Sequence, residues 1–285
     1  MEPVRHPAKR YGQALARAFK RFNGKNGWVM SSHVAMSLML ALFPFVLFTV
    51  ALSGALAEMV STDVELQDMV DLVFGSWPDQ VAEPIVAELN SVLAASNSRL
   101  MTLGGILTLY FASNGVDAVR VAMTQAYRDA DPRPFWKARL LCLLFVLAGG
   151  AGLLAIAILE LALPLYASFL QLAFPEQVQE VFSGDRLSRI FIALTPIGAV
   201  LACHIWLPGH RHSLRQILPG VLLTVLMMTL AGWGFAYYIG KFASYSATYA
   251  GLAGAMAALI FLYLNAAILI LGAEFNGTLI DDPLT

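Results

Sequence analysis

One stretch, Phe242 to Glu274 (FASYSATYAGLAGAMAALIFLYLNAAILILGAE), limits what this chain can fold into more than any other. From Gly251 to Ala273 it is apolar or aromatic except for Asn265. A helix rises about 1.5 Å per residue, so a run of about 20 apolar residues crosses the hydrocarbon core of a bilayer. Gly251 with Ala255, and Gly254 with Ala258, place small residues four apart, the spacing that lets two helix backbones approach closely in lipid. These four residues are the expected packing face of a helix inside a bundle.

The rest of the sequence supplies the bundle. Only 13% of residues are charged and 58% are hydrophobic, whereas soluble domains carry roughly 25% charged residues. Apolar runs at about 29–57, 100–122, 139–163, 187–207, 217–240 and 247–272 give six expected spans, together a membrane domain over 29–272. The expected fold is therefore all-α and polytopic. Pro44 lies in the first span, where it removes a backbone donor and marks a candidate kink.

Charge placement sets the expected topology. Residues 1–28 hold seven Lys/Arg against Glu2, with no apolar core or cleavage site of a secretory signal. Tyr11, Leu15, Ala18, Phe19 and Phe22 recur there at helical spacing, as in a basic amphipathic helix on a membrane surface. The loops 120–139 and 208–216 are basic too, so that 14 of the 18 Lys/Arg fall on one side. The positive-inside rule then puts both termini, including a tail at 273–285, in the cytoplasm. Residues 58–99 carry eight acids against Arg99, with apolar stripes on either side of Trp77-Pro78. They read as an amphipathic helical hairpin outside the membrane.

Polar residues inside apolar runs are the candidate site. An ionisable group deep in a bilayer costs at least about 2.5–3.5 kcal/mol on insertion scales, so each needs a partner or a task. Asn114, Asp117, Arg120, His204 and Glu274 fall near the cytoplasmic ends of their spans, and Asn265 lies deeper. They form a candidate polar vestibule, with the alternative that Asp117 and Arg120 simply pair and that Asn265 bonds across helices. Cys142 and Cys203 sit in separate apolar runs and suggest neither a disulfide framework nor a metal site. His210 and His212 lack the acid-rich spacing of a metallohydrolase, and no nucleophile elbow or phosphate loop occurs. No catalytic residue, metal or cofactor is expected. The bases flank membrane ends without forming a basic-aromatic surface, so nucleic acid is not an expected partner.

Several motifs, in order along the chain, carry a family resemblance. They are Ser37-Leu38 through Phe43-Pro44; Ser113-Asn114-Gly115 with Ala118, Tyr127, Arg133 and Phe135; Leu207-Pro208 and Leu218-Pro219-Gly220; and Phe242-Ala243-Ser244-Tyr245, Tyr249, Tyr263 and Gly272-Ala273-Glu274. Together they resemble the YihY/BrkB family of bacterial inner-membrane proteins, once labelled ribonuclease BN. The resemblance implies a six-span fold in the inner (plasma) membrane, no settled activity, and a link to the cell envelope. Transport or export of a lipid or amphiphilic envelope component is the function expected. The alternatives are an accessory protein docking envelope partners through the 58–99 hairpin, or a membrane hydrolase or nuclease. Membrane lipids are the expected partners, with other envelope proteins possible in the accessory case.

Overall fold

The computed structural model describes residues 7–60, 87, 98–127, 131–173, 184–242 and 252–281. Among these residues there are seven α-helices: α1 (Pro7–Gly24), α2 (Gly27–Val60), α3 (Ser98–Tyr127), α4 (Phe135–Ala173), α5 (Gly184–Trp206), α6 (Leu214–Phe242) and α7 (Leu252–Asp281). The described residues contain no strand, in keeping with the all-α expectation. Four helical stretches are long and apolar enough to cross a membrane: Gly27–Thr49, Phe135–Ile156, Leu214–Ile239 and Gly254–Asp281. Ala193–Trp206 is a shorter apolar stretch, and α3 carries Asp117 and Arg120 within its length. The hairpin expected over 58–99 lies outside the described residues, apart from its helical margins and position 87. Gly251 lies outside them too.

Each helix from α3 to α7 runs past its expected span at one end or both. A hydrophobicity pattern ends at the first polar side chains, but backbone hydrogen bonding continues when those side chains find partners. α7 shows this best. The sequence places its end at 272, yet the helix continues to Asp281, with Thr278 Oγ1 donating to the Glu274 carbonyl at 2.7 Å. The segment expected as a tail is thus helical to Asp281 and buried through Thr278.

The chain forms two compact units, and their boundaries fall inside helices. One comprises Leu42–Ser113 and Leu143–Gly198. Here α2 and α4 approach closely: a Cβ added to Gly150 would lie 3.1 Å from the Phe48 ring and 3.4 Å from Thr49 Oγ1. Thr49, buried, donates to the Phe45 carbonyl. Pro44 lies within the continuous α2, where its missing N–H leaves the Leu40 carbonyl without its usual partner.

The other unit comprises Met1–Ala41, Asn114–Cys142 and Ala199–Thr285. Its centre is the second half of α7, where residues 266–270 and 272–278 are buried without a break. A helix buried all round has neighbours on every side. Ala14 and Ala18 of α1 pack on Phe275, with Leu271, Leu279 and Leu223 of α6 around them. α1 ends at a turn where Asn26 takes φ 56°, the left-handed conformation that asparagine tolerates. Phe22 and Trp28 meet edge to face across that turn at 4.9 Å.

The closest helix approach is between α6 and α7. A methyl added to Gly220 would strike the Gly272 carbonyl and the Asn276 amide, and one added to Gly272 would strike Thr224 Oγ1. A Cβ on Gly277 would come within 2.9 Å of the Ala126 carbonyl. Of the small residues expected to do this work, Ala255 is exposed, and Gly254 and Ala258 are half-buried.

Aromatic side chains frame this unit as a membrane protein. Trp28, Trp136 and Trp206, all exposed, lie at the helix ends that carry the bases. Trp233 and Tyr237 are exposed far along α6. From Leu214 to Trp233 the helix climbs about 30 Å, the thickness of a hydrocarbon core.

Candidate functional site

The polar residues of the second unit gather where the basic helix ends meet, in two groups. The first surrounds α7. Asn276 (0% exposed) spans three elements: its Oδ1 accepts the Gly220 N–H at 2.7 Å, and its Nδ2 donates to the Ile217 carbonyl and to Tyr127 Oη, both at 2.8 Å. Tyr127 Oη in turn lies 2.7 Å from His204 Nδ1. With the Asn276 amide oriented by Gly220, the tyrosine accepts from Asn276 and donates to His204. Nδ1, which also lies 3.3 Å from Asn276 Nδ2, is then assigned as the acceptor and Nε2 as the nitrogen carrying the proton. That Nε2 is buried and has no hydrogen-bond partner among the described residues. His212 stacks on the Tyr127 ring at 4.8 Å.

On the α1 side, Lys25 Nζ donates to Glu274 Oε1 at 2.9 Å and to the Gln125 carbonyl at 3.0 Å. The Glu274 side chain is 3% exposed. One turn on, Arg21 reaches Thr278 Oγ1 and Asp281, both at 3.1 Å. Lys25→Met is expected to cost about 1–3 kcal/mol, more than Glu274→Gln. The first removes a cation from a buried carboxylate, and the second leaves an amide that can still accept. Thermal unfolding of the two purified variants compares them directly.

The second group joins α3, the 131–134 connection and the end of α5. Arg120 Nε donates to Asp117 Oδ1 at 2.8 Å, and its Nη1 makes a very short contact with Asp131. Asp131 also accepts from Arg133 Nε at 2.7 Å and from the Arg133 backbone N–H at 3.0 Å. The Arg133 guanidinium donates onward to the carbonyls of Trp206, Leu207 and Pro208. It thus ties down the last turn of α5, whose carbonyls lack helical partners. Asn114 Oδ1 accepts from Arg139 at 2.7 Å. Asn265 donates to the Phe261 carbonyl of its own helix.

Burial by itself would raise the Asp131 carboxyl, but its hydrogen bonds to Arg133 and the charges of Arg133 and Arg120 outweigh that and hold it below its ordinary value of 3.8. A carboxyl depressed in the folded state stabilises the fold above the unfolded value, and loses that contribution as pH falls through the depressed one. Asp131→Asn is therefore expected to lower the melting temperature by the same amount at every pH above about 5, with the difference vanishing only in strong acid. Melting curves across pH check this.

Of the residues expected to form one vestibule, Asp117 and Arg120 pair with each other, Asn114 pairs with Arg139, and His204 and Glu274 stand in the group around α7. Nothing in the sequence by itself gives a site role to Asn276, Thr224, Lys25, Asp131 or Arg133. Thr278 lies one helical turn after Glu274 and Asn276 stands between them, polar signals hidden by ending the span at 272. Among the described residues no group of three or more His, Cys, Asp or Glu could hold a metal ion.

Membrane-crossing helices joined at one basic end by buried polar contacts define an integral, multi-pass membrane protein. A model of the family described as Virulence factor BrkB matches residues 18–282, and the chain belongs to that family. It is 26% identical over 272 residues to the ribonuclease-like protein YfkH of Bacillus subtilis (strain 168), covering 93% of this chain and 94% of that one. It is 24% identical over 273 residues to UPF0761 membrane proteins of Xanthomonas campestris pv. campestris, strain B100 among them. A similar protein of Xanthomonas axonopodis pv. citri (strain 306) is also 24% identical. Each alignment covers 92% of this chain; the chain spans 59% of the length of the first and 60% of the second. No solved structure matches.

Proposed function

We propose that this protein moves a lipid or amphiphilic envelope component across or out of the bacterial inner membrane. It does so with six spans, both termini in the cytoplasm and the acidic 58–99 hairpin outside. The observation that carries this reading is the buried polar closure at the basic helix ends, above all Lys25–Glu274 and Tyr127–His204–Asn276. A bundle needing only stability is served as well by apolar packing, since buried ion pairs give little net stability. Hydrogen bonds and ion pairs suit a closure that must open and re-form, because polar groups can exchange partners or take up water. Asn114, Asp117, Arg120, His204, Asn265 and Glu274 are the proposed lining of the cytoplasmic path when it opens. The ribonuclease-like name of YfkH supports a nuclease reading only by that name.

The test is reconstitution in vesicles carrying a fluorescent phospholipid, with reagent quenching of the outer leaflet followed in time. The protein is expected to speed transfer to the quenched leaflet above that of empty vesicles, and Glu274→Gln to change the rate without loss of folded protein. No acceleration across several lipid classes, with and without a proton gradient, would sink the proposal.

A further inference from the structure

α1 has two apolar stripes, one buried on α7 and one largely exposed among the described residues, although the Tyr11 ring at its edge still meets Phe275 at 6.4 Å. Ala14, Ala18 and Phe22 are buried, the first two on Phe275 of α7. Tyr11, Leu15 and Phe19, also one turn apart, are 49%, 39% and 48% exposed. On the helical wheel the exposed stripe lies beside the buried one, and the bases fill the opposite half. Of these, Arg17 and Lys20 are exposed. The helix PAKRYGQALARAFKRFNG contains no acid. Beyond the turn, exposed Trp28 and Val29 carry the apolar surface from α1 onto α2, a membrane-crossing helix.

From this geometry we infer that α1 is seated in the headgroup layer of the membrane and recognises anionic phospholipid. Tyr11, Leu15 and Phe19 enter the layer, while Arg17 and Lys20 extend along its surface to the phosphates. Charge decides the occupant. A second copy of α1, which has no acid, would offer the bases no anion, whereas an acidic leaflet complements them. The same helix holds the last span through Arg21–Asp281, with Lys25–Glu274 just after it. Seating on acidic lipid therefore favours the docked state of α1 on α7. None of this depends on transport, and an inactive protein would seat in the same way.

The test is hydrogen exchange of α1 amides in the full-length protein, one copy per nanodisc. Bilayers of phosphatidylcholine alone are compared with bilayers containing phosphatidylglycerol. Each base near an anionic surface contributes about fivefold in binding, so wild-type α1 is expected to exchange at least about fivefold more slowly in the acidic bilayer, an effect that salt weakens. Arg17→Gln/Lys20→Gln is expected to erase the lipid dependence, with α7 exchange unchanged as the check on folding. Equal protection of wild-type α1 in both bilayers would overturn the inference, as would a lipid dependence that survives the double substitution. Protection seen only with two copies per disc would assign a second chain to the stripe and overturn it too.

Discussion

Asn276→Leu is expected to lower the stability of the protein by about 4–6 kcal/mol. Leucine keeps nearly the shape of asparagine, so the change isolates the loss of polarity. The bond accepted from Gly220 and those donated to Ile217 and Tyr127 disappear. Each is worth about 1 kcal/mol net, and the buried Tyr127 hydroxyl loses a donor in a site without water access, which costs about 1–3 kcal/mol more. Tyr127→Phe combined with Asn276→Leu is expected to cost less than the sum of the single changes, because with both ends of the Asn276–Tyr127 bond removed neither is left facing an unmatched partner, while the loss of Tyr127 from His204 is common to both tyrosine variants. Unfolding in detergent, followed by heat or denaturant, gives the three values. Additive losses would mean that the Asn276–Tyr127 bond carries no coupling.

The second large effect is expected at Gly272. Its added methyl in Gly272→Ala meets Thr224 Oγ1, which must rotate into a buried site, and the Gly220 carbonyl at 3.0 Å, which as backbone cannot yield without parting α6 from α7. Overpacking of this kind costs about 1–3 kcal/mol. Thr224 is fully buried, and its hydroxyl has no hydrogen-bond partner among the described residues, so nothing is lost by removing it except volume. Thr224→Ala is accordingly expected to recover much of the loss when combined with Gly272→Ala. A double variant no more stable than Gly272→Ala alone would show that Gly220, and not Thr224, sets the distance between the helices.

The residues differ in how much they disclosed beforehand. Pro44, the basic first 28 residues and the long apolar runs identify a membrane protein from local composition, because solvation in a bilayer is a property of a segment by itself. His204 and Glu274 stood out for the same reason: a titratable group in an apolar run is costly wherever its neighbours are. Their partners did not stand out. Lys25 and Glu274 are 249 residues apart, and Asn276 meets Tyr127 across 149. Lys25 looked like one more base in a tail.

Small residues do not declare their neighbours either. Gly251, Gly254, Ala255 and Ala258 fit a close-packing spacing as well as Gly220, Gly272 and Gly277 do, and spacing alone does not say which face meets a neighbour. The last stretch settled the environment of its helix through residue-by-residue transfer free energy, which sequence expresses in full. Which side of that helix is pressed against α6 and α1, how far past 272 it continues, and which polar atoms close it were decided only in three dimensions. Contacts between distant segments depend on where the backbone returns, and transfer energy does not record that.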